Sequence, residues 1–262
     1  ICYCAYEAQV WHGRNALEGV AALEELGAKT FRLWMCANYI MEDAQTFKEE
    51  PVRIMKDIIA DAQGRGIQVI GMNNAWFSGS SDYMATPARN LKEGSNYEKF
   101  LLNYEETWYQ LAARFPEITI WEIGNEWNND TFLHPYEYES SGLIYTFTEK
   151  ANITTDMLYY ASKGIHRANP EALSVLGGLI DVYEDGFGNA KNFLGKIYEN
   201  IESGKWPSSD PDRYFQMAAW HPYNHSGTPG DAWVQRQEDI YQVILEHEGH
   251  DKVVLFTELG FS

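Results

Sequence analysis

Two glutamates that follow apolar, strand-like segments could carry out acid–base and nucleophilic chemistry together. Glu126 closes the run 121–126, and Glu258 follows the run 252–257. A protonated carboxyl group can donate to the oxygen of a glycosidic bond, while an ionised one attacks the anomeric carbon. Retention of configuration requires the two carboxyl groups to lie about 5–5.5 Å apart. The pair therefore predicts a retaining sugar-cleaving enzyme if folding brings Glu126 and Glu258 together.

The elements that must position these glutamates alternate along the chain. Apolar runs with strand character predict strands at 2–6, 29–36, 67–72, 118–124, 173–180, 214–220 and 252–257. Stripes of helical period predict helices at 15–26, 51–64, 97–115, 154–168, 189–203 and 232–248. Strict alternation is typical of parallel strands joined by crossover helices, so the predicted class is α/β.

A closed barrel fits this alternation better than a doubly wound sheet does. No glycine-rich phosphate loop follows the first strand, and chemically reactive side chains follow several different strands. We therefore predict a (β/α)8 TIM barrel in which residues 1–262 form a single catalytic domain. The sequence ends after the seventh strand, so the seventh helix, eighth strand and eighth helix are expected to be missing from this chain. A partner fragment could also complete the barrel, because an open one exposes two sheet edges.

Four motifs lie in order in or after the second, fourth, sixth and seventh predicted strands. They are Phe31-Arg32-Leu33-Trp34, Asn125-Glu126, His221-Pro222-Tyr223 and Thr257-Glu258-Leu259-Gly260. Each motif alone is weak, but the ordered set resembles clan A of the glycoside hydrolases, which includes families 5, 39 and 10. The resemblance runs from about residue 25 to residue 260.

The resemblance implies a role for each matching residue. Glu126 is implied as the acid/base and Glu258 as the nucleophile. Arg32 and the hydroxyl of Tyr223 could keep Glu258 ionised by charge and hydrogen bonding. A structural salt bridge inside the barrel is the alternative for Arg32. Asn125 is expected to bond the sugar 2-hydroxyl, with a strand-end cap as its alternative.

His221 is expected to orient or tune Glu126. A zinc site built from His221 and His225 would lack a third ligand, so we predict no metal and no cofactor. Glu122 lies in the same strand as Glu126, and we expect it to be buried and paired.

Side chains next to the strand ends are candidates for contacts with sugar. We predict that Asn73 and Asn74 hydrogen-bond hydroxyl groups and that Trp76 and Trp127 stack on sugar rings, with ordinary packing as the alternative for each tryptophan. Further tryptophan candidates are Trp11, Trp34 and Trp220. The loop 76–96 is expected to shape one end of the cleft.

The motifs do not choose between families. Family 5 usually has a histidine at the end of the third strand, where this sequence reads Gly71-Met72-Asn73-Asn74-Ala75-Trp76. The fifth-strand segment 176–179 is somewhat similar to family 39.

The composition restricts the partners. A net charge of −18 repels nucleic-acid phosphates and anionic membranes, so a neutral carbohydrate fits best. No apolar stretch is long enough to span a membrane. The sequence does not fix the oligomeric state or the compartment, and secretion or a periplasmic location stays open. A Cys4–Cys36 disulfide also stays open, because three cysteines form no framework.

Two other classes of function compete with the leading hypothesis. One is a catalytically inactive carbohydrate-binding barrel, which has no need for both glutamates. The other is a metal-dependent lyase or isomerase, which would need more acidic or histidine residues at the strand ends than the sequence offers.

Overall fold

The structure is a computed structural model that describes residues 2–3, 16–181, 189–224 and 230–260. Its central feature is a sheet of seven parallel strands in the order of the chain. These strands are β1 (Cys2–Tyr3), β2 (Thr30–Trp34), β3 (Gln68–Asn73), β5 (Ile120–Ile123), β7 (Leu173–Asp181), β8 (Met217–Pro222) and β9 (Val253–Phe256). No strand is inserted out of order, as a doubly wound sheet would require. The predicted fold class, a (β/α)8 barrel that stops after its seventh strand, is therefore confirmed.

Helices separate the strands along the chain. They are α1 (Ala16–Glu25), α2 (Ala37–Ile40), α3 (Glu49–Gly64), α4 (Asn96–Arg114), α5 (Tyr138–Ser141), α6 (Phe147–Ala168), α7 (Ala190–Glu202) and α8 (Asp231–Glu248), with a 3-10 turn at Pro211–Arg213. In α3 the apolar residues at helical spacing, Met55, Ile58, Ile59 and Ala62, are buried. Burial of one apolar face against the sheet holds each long helix in place.

Two apolar layers lie on the two faces of the sheet. The larger one packs the buried faces of the helices against outward-facing strand residues such as Phe31, Trp121 and Trp220. A separate, smaller cluster joins Val175, Met217 and Ala219, with Ile120 and Leu255 packed against it. Because successive strand side chains point to opposite faces, this second cluster is the interior filling of a curled sheet.

Helix α6 begins seven residues before the predicted start at position 154. Thr146 caps it with a full capping box, in which its hydroxyl accepts from the Glu149 backbone and the Glu149 carboxylate accepts from the Thr146 backbone. This cap satisfies backbone donors of the first turn, so the helix extends beyond its apolar stripe.

A short second sheet joins two loops that leave the carboxyl ends of the barrel strands. Strand β4 (Ala85–Thr86) pairs with β6 (His134–Pro135) in parallel. His134 Nε2 lies 2.6 Å from Asp82, and the Trp76 indole donates to the Ala85 carbonyl at 2.8 Å. The strand pairing and the His134–Asp82 contact fasten the loop 76–96 to the segment that follows Glu126.

Candidate active site

Glu126 lies in a tight turn directly after β5. Its φ is 49° and that of Gly124 is 87°, so two residues of this turn adopt the left-handed region. The Glu126 backbone N–H donates to the Gly178 carbonyl at 2.8 Å, and the Asn125 N–H donates to Asn74 Oδ1 at 3.0 Å. A left-handed glutamate is uncommon and strained, and it persists only where surrounding contacts fix it. Here those contacts hold the Glu126 carboxylate at the carboxyl end of the sheet.

Arg32 lies at the centre of the polar network inside the sheet. Its guanidinium donates to Glu122 at 2.6 and 2.9 Å, to Glu258 at 2.7 Å and to Asn125 Oδ1 at 2.8 Å. Glu122 is fully buried and paired, as expected. Arg32 therefore forms both the interior salt bridge and the contact with Glu258, two interpretations that the sequence offered as alternatives.

Glu258 is kept ionised by its surroundings. Burial alone would raise the pKa of Glu258, but the charge that His221 carries when its ring is doubly protonated, a hydrogen bond from Tyr223 and the Arg32 guanidinium together hold that pKa below its usual value. The Tyr223 hydroxyl donates to Glu258 Oε2 at 2.6 Å. Burial and the nearby Glu258 carboxylate raise the pKa of Tyr223, so this hydroxyl stays a donor. The side chain of Glu258 keeps 24% of its surface exposed, which leaves it open to a ligand.

His221 connects the two glutamates. Its Nδ1 lies 2.7 Å from Glu126 Oε1 and 3.9 Å from Glu258 Oε2. One carboxylate oxygen of Glu126, one of Glu258 and a ring nitrogen of His221 all lie within 4.8 Å of one another. The two carboxylates, far apart in sequence, thus face each other over a short gap in different environments.

These three side chains are also the group within residues 16–181, 189–224 and 230–260 whose ligand atoms are close enough to share a metal ion. Hydrogen bonds to Arg32, Tyr223 and the His221 ring already use the oxygens concerned. A guanidinium against Glu258 disfavours a second cation there. This donor set suits acid–base chemistry better than metal binding. His225, the other histidine of the rejected zinc hypothesis, lies outside the described residues.

The structure corrects the expectation for Trp76 and Trp127. Trp76 is 0% exposed and Trp127 is 2% exposed, and the two rings pack edge to face with their centroids 6.1 Å apart. A ring with no exposed face cannot stack on a sugar. Trp127 instead covers Gly124, where a Cβ would lie 2.3 Å from the indole. Trp220 is buried as well, Trp34 is partly buried, and Trp11 lies outside the described residues, as does Cys4 of the proposed disulfide.

Asn73 and Asn74 also differ from the expectation that they bond sugar hydroxyls. Both are buried. Asn73 bonds the Ala37 backbone N–H at 2.9 Å and the Ala75 carbonyl at 2.8 Å. Asn74 Oδ1 accepts from the Asn125 backbone and, at 2.6 Å, from the Trp127 indole. The Asn74 amide oxygen positions the Asn125-Glu126 turn, whereas the Asn73 amide joins the end of β3 to the start of α2.

Two residues of the site were missed by the sequence reasoning. Thr257 Oγ1 lies 3.0 Å from His221 Nε2 and 3.0 Å from Glu122 Oε1. Gly178 donates its N–H to Glu122 at 2.9 Å, and a Cβ there would lie 2.0 Å from His221. Paired glycines inside a predicted strand signal a bulge or a close approach, and β7 does shift register between Leu176 and Leu179. A polar residue two positions after inward-facing Leu255 was the available signal for Thr257.

A parallel barrel sheet whose carboxyl ends gather a pair of glutamates is the architecture of the barrel glycoside hydrolases. The family model described as Cellulase (glycosyl hydrolase family 5) matches residues 4–261. The chain therefore belongs to glycosyl hydrolase family 5, which resolves the choice that the motifs left open. No curated protein matches the sequence closely enough to be counted.

Solved structures agree with the fold. A GH5-4 broad specificity endoglucanase from an uncultured bacterium has a TM-score of 0.64 at 14% identity, covering 99% of this chain and 71% of its own. A family 1 β-glucosidase from Thermotoga maritima has a TM-score of 0.62 at 12% identity, covering 99% and 76%. The xyloglucan-specific endo-β-1,4-glucanase XEG5A from a metagenomic library, in complex with cellotriose, has a TM-score of 0.61 at 15% identity, covering 97% and 71%. For five other similar structures, this chain covers only 54% to 65% of their length.

Proposed function

We propose that this chain cleaves β-glycosidic bonds with retention of configuration, by double displacement at Glu258 with Glu126 as acid and base. The observation that carries the proposal is the approach of the two carboxylates to within 4.8 Å. Retaining enzymes hold their carboxyl groups about 5–5.5 Å apart, whereas inverting enzymes leave about 6.5–9.5 Å for a water molecule. The short gap matches the separation in retaining enzymes, so it favours direct attack by one carboxylate.

The environments of the two glutamates support the division of labour. Arg32 and Tyr223 stabilise negative charge on Glu258, which the nucleophile must carry before it attacks. Glu126 is more deeply buried, and among the described residues its carboxylate meets the His221 ring at 2.7 Å and no arginine. A carboxyl group bonded to arginine is the better candidate for the ionised partner, which leaves the acid role to Glu126. Glu126 therefore protonates the leaving oxygen, and its carboxylate then activates the water that releases the sugar.

Asn125 has a supporting role in this proposal. Its Oδ1 accepts from Arg32 at 2.8 Å, which fixes the orientation of the amide and leaves Nδ2 to bond a sugar hydroxyl. A bond to the 2-hydroxyl strengthens as charge develops at the anomeric carbon.

A neutral, β-linked polysaccharide of glucose or its oligomers is the proposed substrate. The family description supports a cellulose-like glucan, and a net charge of −18 disfavours anionic polymers such as polyuronates. Among the described helices, none could cross a lipid bilayer. Hydrolysis of a panel of neutral β-glucans and aryl β-glycosides measures the preference.

Covalent labelling tests the mechanism. A 2-deoxy-2-fluoro β-glycoside with a dinitrophenyl leaving group should add one sugar to the chain, at Glu258 in the peptide map. Glu126→Gln is the matched control and should still be labelled, because this leaving group needs no proton. Glu258→Gln should not be labelled. Labelling at Glu126 or Glu122, or no labelling with substrates that the chain does hydrolyse, would reject the assignment.

A further inference from the structure

A chain of polar contacts links the two catalytic candidates through His221, Thr257, Glu122 and Arg32. From Glu126 it passes to His221 at 2.7 Å, to Thr257 at 3.0 Å and to Glu122 at 3.0 Å. From Glu122 it returns through Arg32 to Glu258 at 2.7 Å. The direction of the hydrogen bond at each link follows from what each group is able to donate.

Glu122 fixes the direction at Thr257. The Glu122 carboxylate is fully buried and accepts from Arg32 Nε and Nη2, from the Gly178 N–H and from the Thr257 hydroxyl. An ionised carboxylate bonded to arginine is only an acceptor. The single hydroxyl proton of Thr257 therefore points to Glu122.

Thr257 then fixes the direction at His221. With its proton committed to Glu122, the Thr257 oxygen can offer only a lone pair to His221 Nε2. The ring is completely buried and packs closely against Gly178, where an added Cβ would lie 2.0 Å from His221 Nε2. Nε2 must then carry a proton whenever the contact at 3.0 Å is made.

We propose that Thr257 is a positioning residue that holds neutral His221 as the Nε2–H tautomer, so that the ring turns the Nδ1 lone pair towards Glu126. The inference rests on the proposed function of Glu126. Two lone pairs facing each other at 2.7 Å repel unless a proton lies between them, so this tautomer favours the protonated acid. The opposite tautomer would donate from Nδ1 and stabilise the ionised carboxylate, which cannot act as an acid.

Other charged groups around the ring do not reverse this direction. Glu258 Oε2 lies 3.9 Å from Nδ1, but it already accepts from Tyr223, and Glu258 Oε1 accepts from Arg32. The Tyr223 ring meets the imidazole edge to face at 6.2 Å. The short contact at Nδ1 is the one with Glu126.

The ¹⁵N spectrum of the histidine side chains tests the tautomer without any activity measurement. In the unliganded wild-type chain, His221, assigned by its loss in His221→Gln, should show a protonated Nε2 and an unprotonated Nδ1 above its titration. A neutral ring with its proton on Nδ1, or a ring that stays doubly protonated throughout the accessible pH range, would overturn the proposal. Because this result does not depend on turnover, it stands apart from any failure of the proposed function.

Kinetics of Thr257→Val supply the second readout. Without the hydroxyl, Nδ1 can hold the ring proton, so the alkaline limb of kcat should move down by about one pH unit. On the alkaline side of the wild-type optimum, kcat should fall about tenfold for alkyl or sugar leaving groups, with KM and dinitrophenyl glycoside hydrolysis nearly unchanged.

Two further variants separate positioning from structure. Thr257→Ser keeps the hydroxyl and should restore the wild-type profile. Thr154→Val removes another buried hydroxyl, one that has no hydrogen-bond partner among the described residues, and it should leave the profile unchanged. Equal loss for good and poor leaving groups in Thr257→Val, or no rescue by serine, would show that Thr257 serves only the fold.

Discussion

Individual side chains give the two glutamates different environments. Glu258 receives two short bonds from donors, one from Arg32 and one from Tyr223, and its pKa is lowered in spite of burial. Glu126 meets one histidine instead. Two carboxyl groups with different partners can hold different protonation states at one pH, as double displacement requires.

Removing the tyrosine hydroxyl should shift the acid limb of activity. In Tyr223→Phe, Glu258 loses the bond at 2.6 Å that helps to lower its pKa, so this pKa rises. The nucleophile is active when ionised, and the acid limb of kcat/KM therefore moves to higher pH. A hydrogen bond to a charged group contributes about 1.5–3 kcal/mol, so a shift of about one to two units is expected.

Tyr241→Phe is the matched control for this shift. The Tyr241 hydroxyl, in α8, donates to the exposed carboxylate of Asp251 at 2.8 Å. Its pH–rate profile should equal that of the wild type. An unmoved acid limb in Tyr223→Phe would mean that Arg32 alone keeps Glu258 ionised.

The glycine pair of β7 is the element that lets the strands converge. A Cβ at Gly177 would lie 2.3 Å from the Gly124 carbonyl oxygen, and one at Gly178 would overlap the His221 ring. Both glycines lie where β7 changes register against β8. The bulge places one backbone carbonyl under Glu126 and one N–H against Glu122. Strand geometry, and not only side-chain chemistry, therefore sets the catalytic distance.

Adding one methyl group to this bulge should be costly. Gly178→Ala forces His221 or β7 to move, so we expect a loss of about 1–3 kcal/mol in the free energy of unfolding and a large fall in kcat. Gly195→Ala is the matched control in α7, where the nearest atom lies 3.9 Å from the new Cβ. There the same change should stabilise by about 0.5–1 kcal/mol, because glycine is unfavourable within a helix. Urea unfolding of both variants measures these free energies. Equal changes in the two variants would refute a steric role for Gly178.

At the scale of the whole molecule, β9 presents an apolar edge. Val253 is 59% and Phe256 48% exposed, and Leu259 follows them on the surface. We propose that residues 1–262 are the larger part of one catalytic barrel domain, with a further helix, strand and helix packing against β9. The exposed apolar side chains and the incomplete coverage of similar structures support this proposal.

Isolated residues 1–262 should therefore self-associate through this edge. Charged residues on an exposed strand block edge-to-edge pairing, so Val253→Lys should lower both the sedimentation-detected association and the binding of a hydrophobic dye. Leu26→Lys changes an even more exposed leucine that lies after α1, away from β9, and should alter neither. A monomeric wild type, or equal effects of the two variants, would contradict an open edge at β9.

Local sequence pattern was sufficient to predict most of the architecture and the two glutamates that the structure brings together, Glu126 and Glu258. Alternating strand and helix periods predicted all seven barrel strands to within a few residues, because each element buries one face. The motifs at the strand ends singled out Arg32, Asn125, Glu126, His221, Tyr223 and Glu258 for the same reason: parallel strands deliver their carboxyl ends to one rim.

Tertiary structure alone decided which polar and aromatic residues face the rim and which support it from below. Trp76, Trp127, Asn73 and Asn74 lie next to strand ends, yet packing buries them beneath the Glu126 turn. Thr257 and Gly178 gain their importance from contacts with His221, which comes from another strand. A sequence pattern indicates which face of a single helix or strand is buried. The contacts between elements are set by the curvature of the sheet and by the bulge in β7.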